Sequence, residues 1–250
     1  MSAHKKIALL GGTKGMGRAL ARQLAARGDA LCLLGRGGEA LEASATDLIA
    51  RGAEGRIFTA HCDLLDLDSF AGALDETARQ LGGLDTVIVT AGMFGTQEAL
   101  EADDDLRRKM LMVNFSGTVE FCEQARRWLL ANAGGGTLCV FSSVAGDRGR
   151  KPVALYGSTK AGLSHYLESL DHKHRAEGLV TLCVKPGFVK TGMTAGLSPP
   201  PFAGEPEQVA RDVIKAIDKG KPLLYTPGMW RWVMFIIKRL PRFVMRKIGF

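Results

Sequence analysis

No two cysteines in this chain have a Cys-x-x-Cys spacing. Its five thiols (Cys32, Cys62, Cys122, Cys139 and Cys183) are odd in number and far apart. That speaks against a disulfide framework and against a zinc site, and several of the five lie in apolar runs, so buried, reduced thiols are expected. The histidines lack metal spacing too. His172 and His174, two apart on a polar helical stretch, point to different sides of a helix. Low-complexity tracts are absent, and most of the chain has no block of like charge, which argues against disorder away from the termini. The lead Met1-Ser2-Ala3-His4-Lys5-Lys6 is too short to be a secretory signal, so a cytoplasmic protein is expected.

Acid is missing from residues 221–250, which hold Lys221, Arg231, Lys238, Arg239, Arg242, Arg246 and Lys247. The other 220 residues carry 26 basic and 26 acidic side chains, so the net charge of +7 belongs to the tail. A neutral body with a basic tail does not suit a nucleic-acid partner. With 250 residues and 46% apolar content the chain can bury a large core.

What is present is an alternation of short apolar runs with longer helical patterns. Strand-like runs fall at 7–10, 30–34, 56–60, 84–90, 137–141, 179–184 and 223–225. Helical patterns follow at 15–27, up to 51, at 69–80, along one long helix at 103–132, and at 155–177 and 205–219. Short strands between helices predict an α/β fold: a single doubly wound Rossmann domain with a mainly parallel seven-stranded sheet. No linker interrupts it. Residues 1–226 are read as the dinucleotide-binding and catalytic domain, and 227–250 as an amphipathic, basic, helical tail.

The first strand runs into Gly11-Gly12-Thr13-Lys14-Gly15-Met16-Gly17. A glycine-rich turn opening a helix lets backbone N–H groups approach a pyrophosphate. The second strand ends in Gly35-Arg36, with no carboxylate to hold a ribose diol. Lys14 and Arg36 stand at neighbouring strand ends, where two cations can meet on a 2′-phosphate, so NADPH is favoured over NADH. The alternative is two solvated surface charges.

Tyr156 and Lys160, four apart at the start of a helix, share one face. A nearby ammonium favours phenolate, which predicts a tyrosine held below its ordinary pKa of about 10. Ser143 ends a strand at the same edge and can hydrogen-bond a substrate oxygen. Three residues with these roles beside a dinucleotide loop predict reduction of a ketone.

With these motifs the chain resembles the short-chain dehydrogenase/reductase family over residues 5–226. The matching pieces are Gly11, Gly15 and Gly17, Asp63-Leu64, Ala91-Gly92, Asn114, Ser143, Tyr156, Lys160 and Pro186-Gly187. The resemblance implies that Tyr156 is the acid, that Ser143 orients the carbonyl, and that Lys160 binds the nicotinamide ribose and tunes Tyr156. It gives Asn114 a relay water, puts Asp63 and Leu64 on adenine, and puts Pro186, Gly187, Val189 and Thr191 around the nicotinamide. It also implies a homo-oligomer, dimer or tetramer. Two departures bear on loop support: Val89-Thr90 stands where the family has Asn-Asn, and Leu10 where it has Thr.

The loop Asp147-Arg148-Gly149-Arg150-Lys151 joins two catalytic residues, so its three cations either grip a substrate phosphate or are solvated. In the tail, Trp230, Trp232, Phe235, Ile236 and Phe243 alternate with cations, and the longest apolar run is Val233–Ile237, far short of a span. The tail therefore suits a helix lying in a membrane interface, at the inner face of the cytoplasmic membrane; packing on the body or a second subunit is the rival. Residues 142–250 resemble the family branch of bacterial reductases acting on decaprenylphosphoryl-2-keto-erythro-pentose. That resemblance implies a polyprenyl-phosphate keto-sugar substrate in cell-envelope polysaccharide synthesis. A 3-keto lipid or 3-ketoacyl chain, held by Met193, Leu197 and Phe202, is the alternative, and a non-catalytic dinucleotide-binding regulator is an alternative of another class.

Overall fold

A computed structural model of the protein describes residues 4–53, 56–196, 198–200 and 202–248. Leu197, one of the three residues expected to line an acyl groove, lies outside them. Seven strands form one sheet: β1 (Lys6–Leu10), β2 (Ala30–Gly35), β3 (Ile57–His61), β4 (Thr86–Val89), β5 (Gly136–Phe141), β6 (Leu179–Pro186) and β7 (Leu223–Thr226). Their order is β3-β2-β1-β4-β5-β6-β7, and every pair is parallel. The expected doubly wound architecture is present, and the order reverses between β1 and β4, where such sheets open a crevice at their carboxyl ends.

Continuous apolar strands such as Ile7–Leu10 demand cover on both faces. One face is covered by α1 (Gly15–Ala26), α2 (Gly38–Ala50) and α8 (Pro206–Asp218), through Leu20, Leu24, Leu48, Val209 and Val213. The other is covered by α3 (Ser69–Leu81), α6 (Gly117–Leu130) and α7 (Ala154–His174), through Leu74, Leu129, Leu163, Leu167 and the edge-to-face pair Phe70–Phe121. All five thiols are buried.

The single helix expected at 103–132 is instead three pieces. A short helix α4 (Gln97–Ala102) precedes α5 (Asp104–Leu111), then a π turn (Met112–Ser116), then α6. Asp103 breaks the first junction because its carboxylate accepts from Asp105 N and Leu106 N as an N-cap. The π turn at the second junction carries Asn114.

The tail folds as α9 (Trp230–Arg239) and α10 (Arg242–Lys247), split at Leu240-Pro241, where proline ends a helix. It docks on the body. Met234 is 1% exposed, whereas Trp232, Ile236 and Phe243 are 65%, 62% and 64% exposed. None of the helices among the described residues is long and apolar enough to cross a membrane.

Candidate active site

The carboxyl ends of β1 to β4 open a cleft of about 710 Å³. Gly11, Thr13, Lys14, Gly15, Met16, Gly17, Arg36, Asp63, Leu64, Ala91, Gly92 and Thr191 all line it. At its base α1 closes on the end of β1. A side chain on Gly17 would sit 2.1 Å from Gly11 O, so only glycine allows this approach. Gly11 has φ +97°, a region that side chains rarely adopt. The missing asparagine is replaced in function by Thr90, whose hydroxyl donates to Gly11 O at 3.0 Å and contacts Leu10 O at 3.2 Å. A threonine therefore fastens β4 to the phosphate loop. Lys109, Val113 and Met93 also line the cleft, and no motif pointed to them.

On the far wall, Val189 is buried and pairs with Gly204, and Thr194 donates to Val189 O at 2.7 Å. That folds the segment back so that Thr191 meets Gly15 across the cleft mouth. Pro186 ends β6, and Gly187 N donates to Thr226 O at 3.0 Å, so both stand in the sheet edge.

Beside the cleft stand the residues with acid–base chemistry. Ser143 follows β5, with its hydroxyl accepting from Ala145 N at 3.1 Å. Gly157 on α7 packs against Ala145, and the close approach sets Ser143 beside Tyr156, where the serine hydroxyl favours the phenolate. Phe94 packs edge-on to the Tyr156 ring at 5.3 Å. Lys160, one turn on, is buried with its Nζ donating to Phe141 O at 3.0 Å and lying 5.8 Å from the Tyr156 ring centroid.

The electrostatics differ from the sequence-based expectation. Burial pushes the Tyr156 phenol up to about 12, with the Ser143 hydrogen bond opposing it. Burial also drives the Lys160 ammonium down to about 8. Desolvation dominates both shifts, because it penalises the charged form of each group. Asn114 is fully buried, and its amide is committed in both directions to Met93, accepting from Met93 N at 2.8 Å and donating to Met93 O at 2.7 Å. This side chain clamps the cleft floor.

The loop between Ser143 and Tyr156 is fixed by Asp147, which takes Lys185 Nζ and the Tyr225 hydroxyl at 2.6 Å each. Two of its three cations, expected at a substrate phosphate, serve the tail. Arg148 donates to Leu240 O at 2.7 Å and Lys151 to Arg246 O at 2.6 Å, capping the carbonyl ends of α9 and α10. Arg150 is half-buried between them.

Residues 5–201 match the family model described as short chain dehydrogenase. An uncharacterised oxidoreductase of Mycobacterium tuberculosis is 32% identical over 242 residues, 97% of this chain and 96% of the relative. Carbonyl reductase family member 4 of Xenopus tropicalis is 28% identical, with 84% of this chain and 89% of the relative covered. A short-chain dehydrogenase/reductase structure from Mycobacterium ulcerans matches with a TM-score of 0.81 at 24% identity, over 90% of this chain and 89% of that one. With the cleft, the half-buried Tyr156 beside buried Lys160 and these likenesses together, the chain belongs to the short-chain dehydrogenase family and is an NAD(P)-dependent oxidoreductase.

Proposed function

We propose that the protein reduces a ketone to a secondary alcohol using NADPH, with residues 1–226 carrying the chemistry and the tail closing the substrate side. The observation that carries this reading is that Ser143, Tyr156 and Lys160 stand together at the edge of the nucleotide cleft, with Lys160 one turn behind the tyrosine and its Nζ 5.8 Å from the ring centroid. The fit of the cofactor is supported by the backbone approach at Gly11 and Gly17 and by Lys14 and Arg36 on the cleft wall. NADPH supplies hydride to the carbonyl carbon. The protein supplies the rest. Ser143 and Tyr156 hold the carbonyl oxygen, Tyr156 gives it a proton, and Lys160 supplies positive charge behind the phenol. A phenol held near 12 is protonated at neutral pH, which is the form that reduction needs. Asn114 fixes the 91–93 segment, and Pro186, Gly187, Val189 and Thr191 wall the nicotinamide end. Asp63 and Leu64 stand at the adenine end.

The substrate in this reading is a ketone carried on a lipid. The tail exposes Trp232, Phe235, Ile236 and Phe243 among Lys238, Arg239 and Arg242, with no acid nearby, which suits the anionic inner face of a membrane. The same tail is bonded to the loop joining Ser143 to Tyr156. A polyprenyl-phosphate keto-sugar of envelope synthesis and a 3-keto lipid both meet that description. The commitment of Arg148 and Lys151 to tail carbonyls, together with exposed Met193 and Phe202, favours the keto lipid. Assembly into a homo-oligomer would cover Leu111, Met112 and Phe115, which are exposed beside α7.

Tyr156→Phe is expected to lower ketone reduction by about 10²-fold or more while leaving NADPH binding, followed by nicotinamide fluorescence, intact. Retained turnover would remove Tyr156 as the proton donor. The reductive rate should hold from about pH 6 to about 7.5 and fall through about pH 8, because the Lys160 pKa is lowered and its charge is lost as pH rises. A rate that climbs through that range removes Lys160 from the proton-donating group. Arg36→Ala should raise the NADPH Michaelis constant about tenfold with NADH nearly unchanged. Equal effects on both would contradict the 2′-phosphate contact. Ile236→Glu with Phe243→Glu, both at exposed positions, should abolish sedimentation with phosphatidylglycerol vesicles at low salt. Undiminished sedimentation would remove the tail from the membrane.

A further inference from the structure

Trp230 is the first residue of α9, and its indole lies flat against the backbone of Gly187. A Cβ on Gly187 would sit 2.0 Å from Trp230 Nε1 and 2.1 Å from Cε2. The tail thus fills the space that a side chain at position 187 would otherwise occupy. Strand register says where that space is. Phe141 pairs with Val184 and Pro186 with Thr226, so continuing the register sets Ser143 beside Pro186. Gly187 comes one residue later, about 3.3 Å further along the strand. The indole therefore borders the reacting end of the site, just beyond the row that holds Ser143.

The Trp230 Nε1–H is buried and has no acceptor among the described residues. Buried donors are almost always paired, and an orphan beside a site calls for a partner in the ligand. The ring cannot easily turn away to find one. Met234, one turn on, is buried in the body, and Arg148 bonds the Leu240 carbonyl at the far end of α9.

We infer that Trp230 is a specificity-determining residue whose indole N–H donates to a second oxygen of the substrate, one or two carbons from the reacting carbonyl. The preferred substrate class is then an oxygen-bearing ketone such as a 3-keto ester, rather than a plain ketone. This rests on the ketoreductase reading and extends it.

The test uses the full-length protein and two matched probe pairs. Its three tryptophans give three indole N–H signals in ¹⁵N-labelled protein, assigned with Trp→Phe variants at 128, 230 and 232. With NADP⁺ present, ethyl 3-hydroxybutyrate should move the Trp230 signal downfield, and 2-hexanol should not. In turnover, kcat/KM for ethyl acetoacetate should exceed that for 2-hexanone, and Trp230→Phe should shrink this preference about tenfold, through KM. A Trp230 signal that ignores both alcohols, or answers both equally, overturns the assignment, as does a preference that survives in Trp230→Phe. A protein that reduces neither ketone while its Trp230 signal shifts only with the hydroxy ester would retain the donor and sink the ketoreductase reading instead.

Discussion

Seven parallel strands put all their carboxyl ends at one edge, and the rest of the molecule follows from that constraint. A parallel strand cannot turn directly into its neighbour, so each must leave the sheet through a loop at this edge before crossing back. The glycine turn after β1, Arg36 after β2, Asp63 after β3, Ala91-Gly92 after β4, Ser143 after β5 and Pro186-Gly187 after β6 therefore share one rim. Residues spread over 176 positions of sequence need no special device to meet; the sheet lines them up. What the loops add is closeness, which is why glycine at 17 and threonine at 90 matter more than their size suggests.

Burial decides the chemistry at that rim. A buried ammonium has to be solvated by the protein, and the Phe141 carbonyl takes that role for Lys160. The same desolvation that lowers Lys160 raises Tyr156, so the pair rests with a firmly protonated phenol beside an ammonium that titrates within reach of neutrality. This is a resting state suited to giving a proton away. Oxidation of the alcohol needs the phenolate as base, and burial disfavours forming it.

The sheet and the meeting of Tyr156 with Lys160 could be read in the sequence because they depend on local rules: apolar runs of strand length, a glycine turn before a helix, and a Tyr–Lys spacing of one turn. The features that could not be read depend on partners distant in sequence. Asp103, which caps α5, stands at the start expected for that helix and is a local signal. The π turn at Asn114 left no such trace. Nor could charge say that Arg148 and Lys151 face helix carbonyls, because a cation opposite a helix C-terminus looks in sequence like a cation opposite a phosphate.

That last ambiguity has a physical consequence. Helix C-termini and phosphates both present clustered oxygens with negative potential, so either can satisfy a guanidinium or an ammonium. With the two helix ends in place, the loop between Ser143 and Tyr156 gains a roof and gives up two charges toward anything entering from the substrate side. The tail brings a neutral N–H donor, Trp230, against the backbone of Gly187. A neutral donor discriminates by hydrogen-bond geometry rather than by charge, and it does so best where water is excluded. A tail that takes up two cations and presents an indole N–H thus exchanges charge for a neutral donor on that side of the fold.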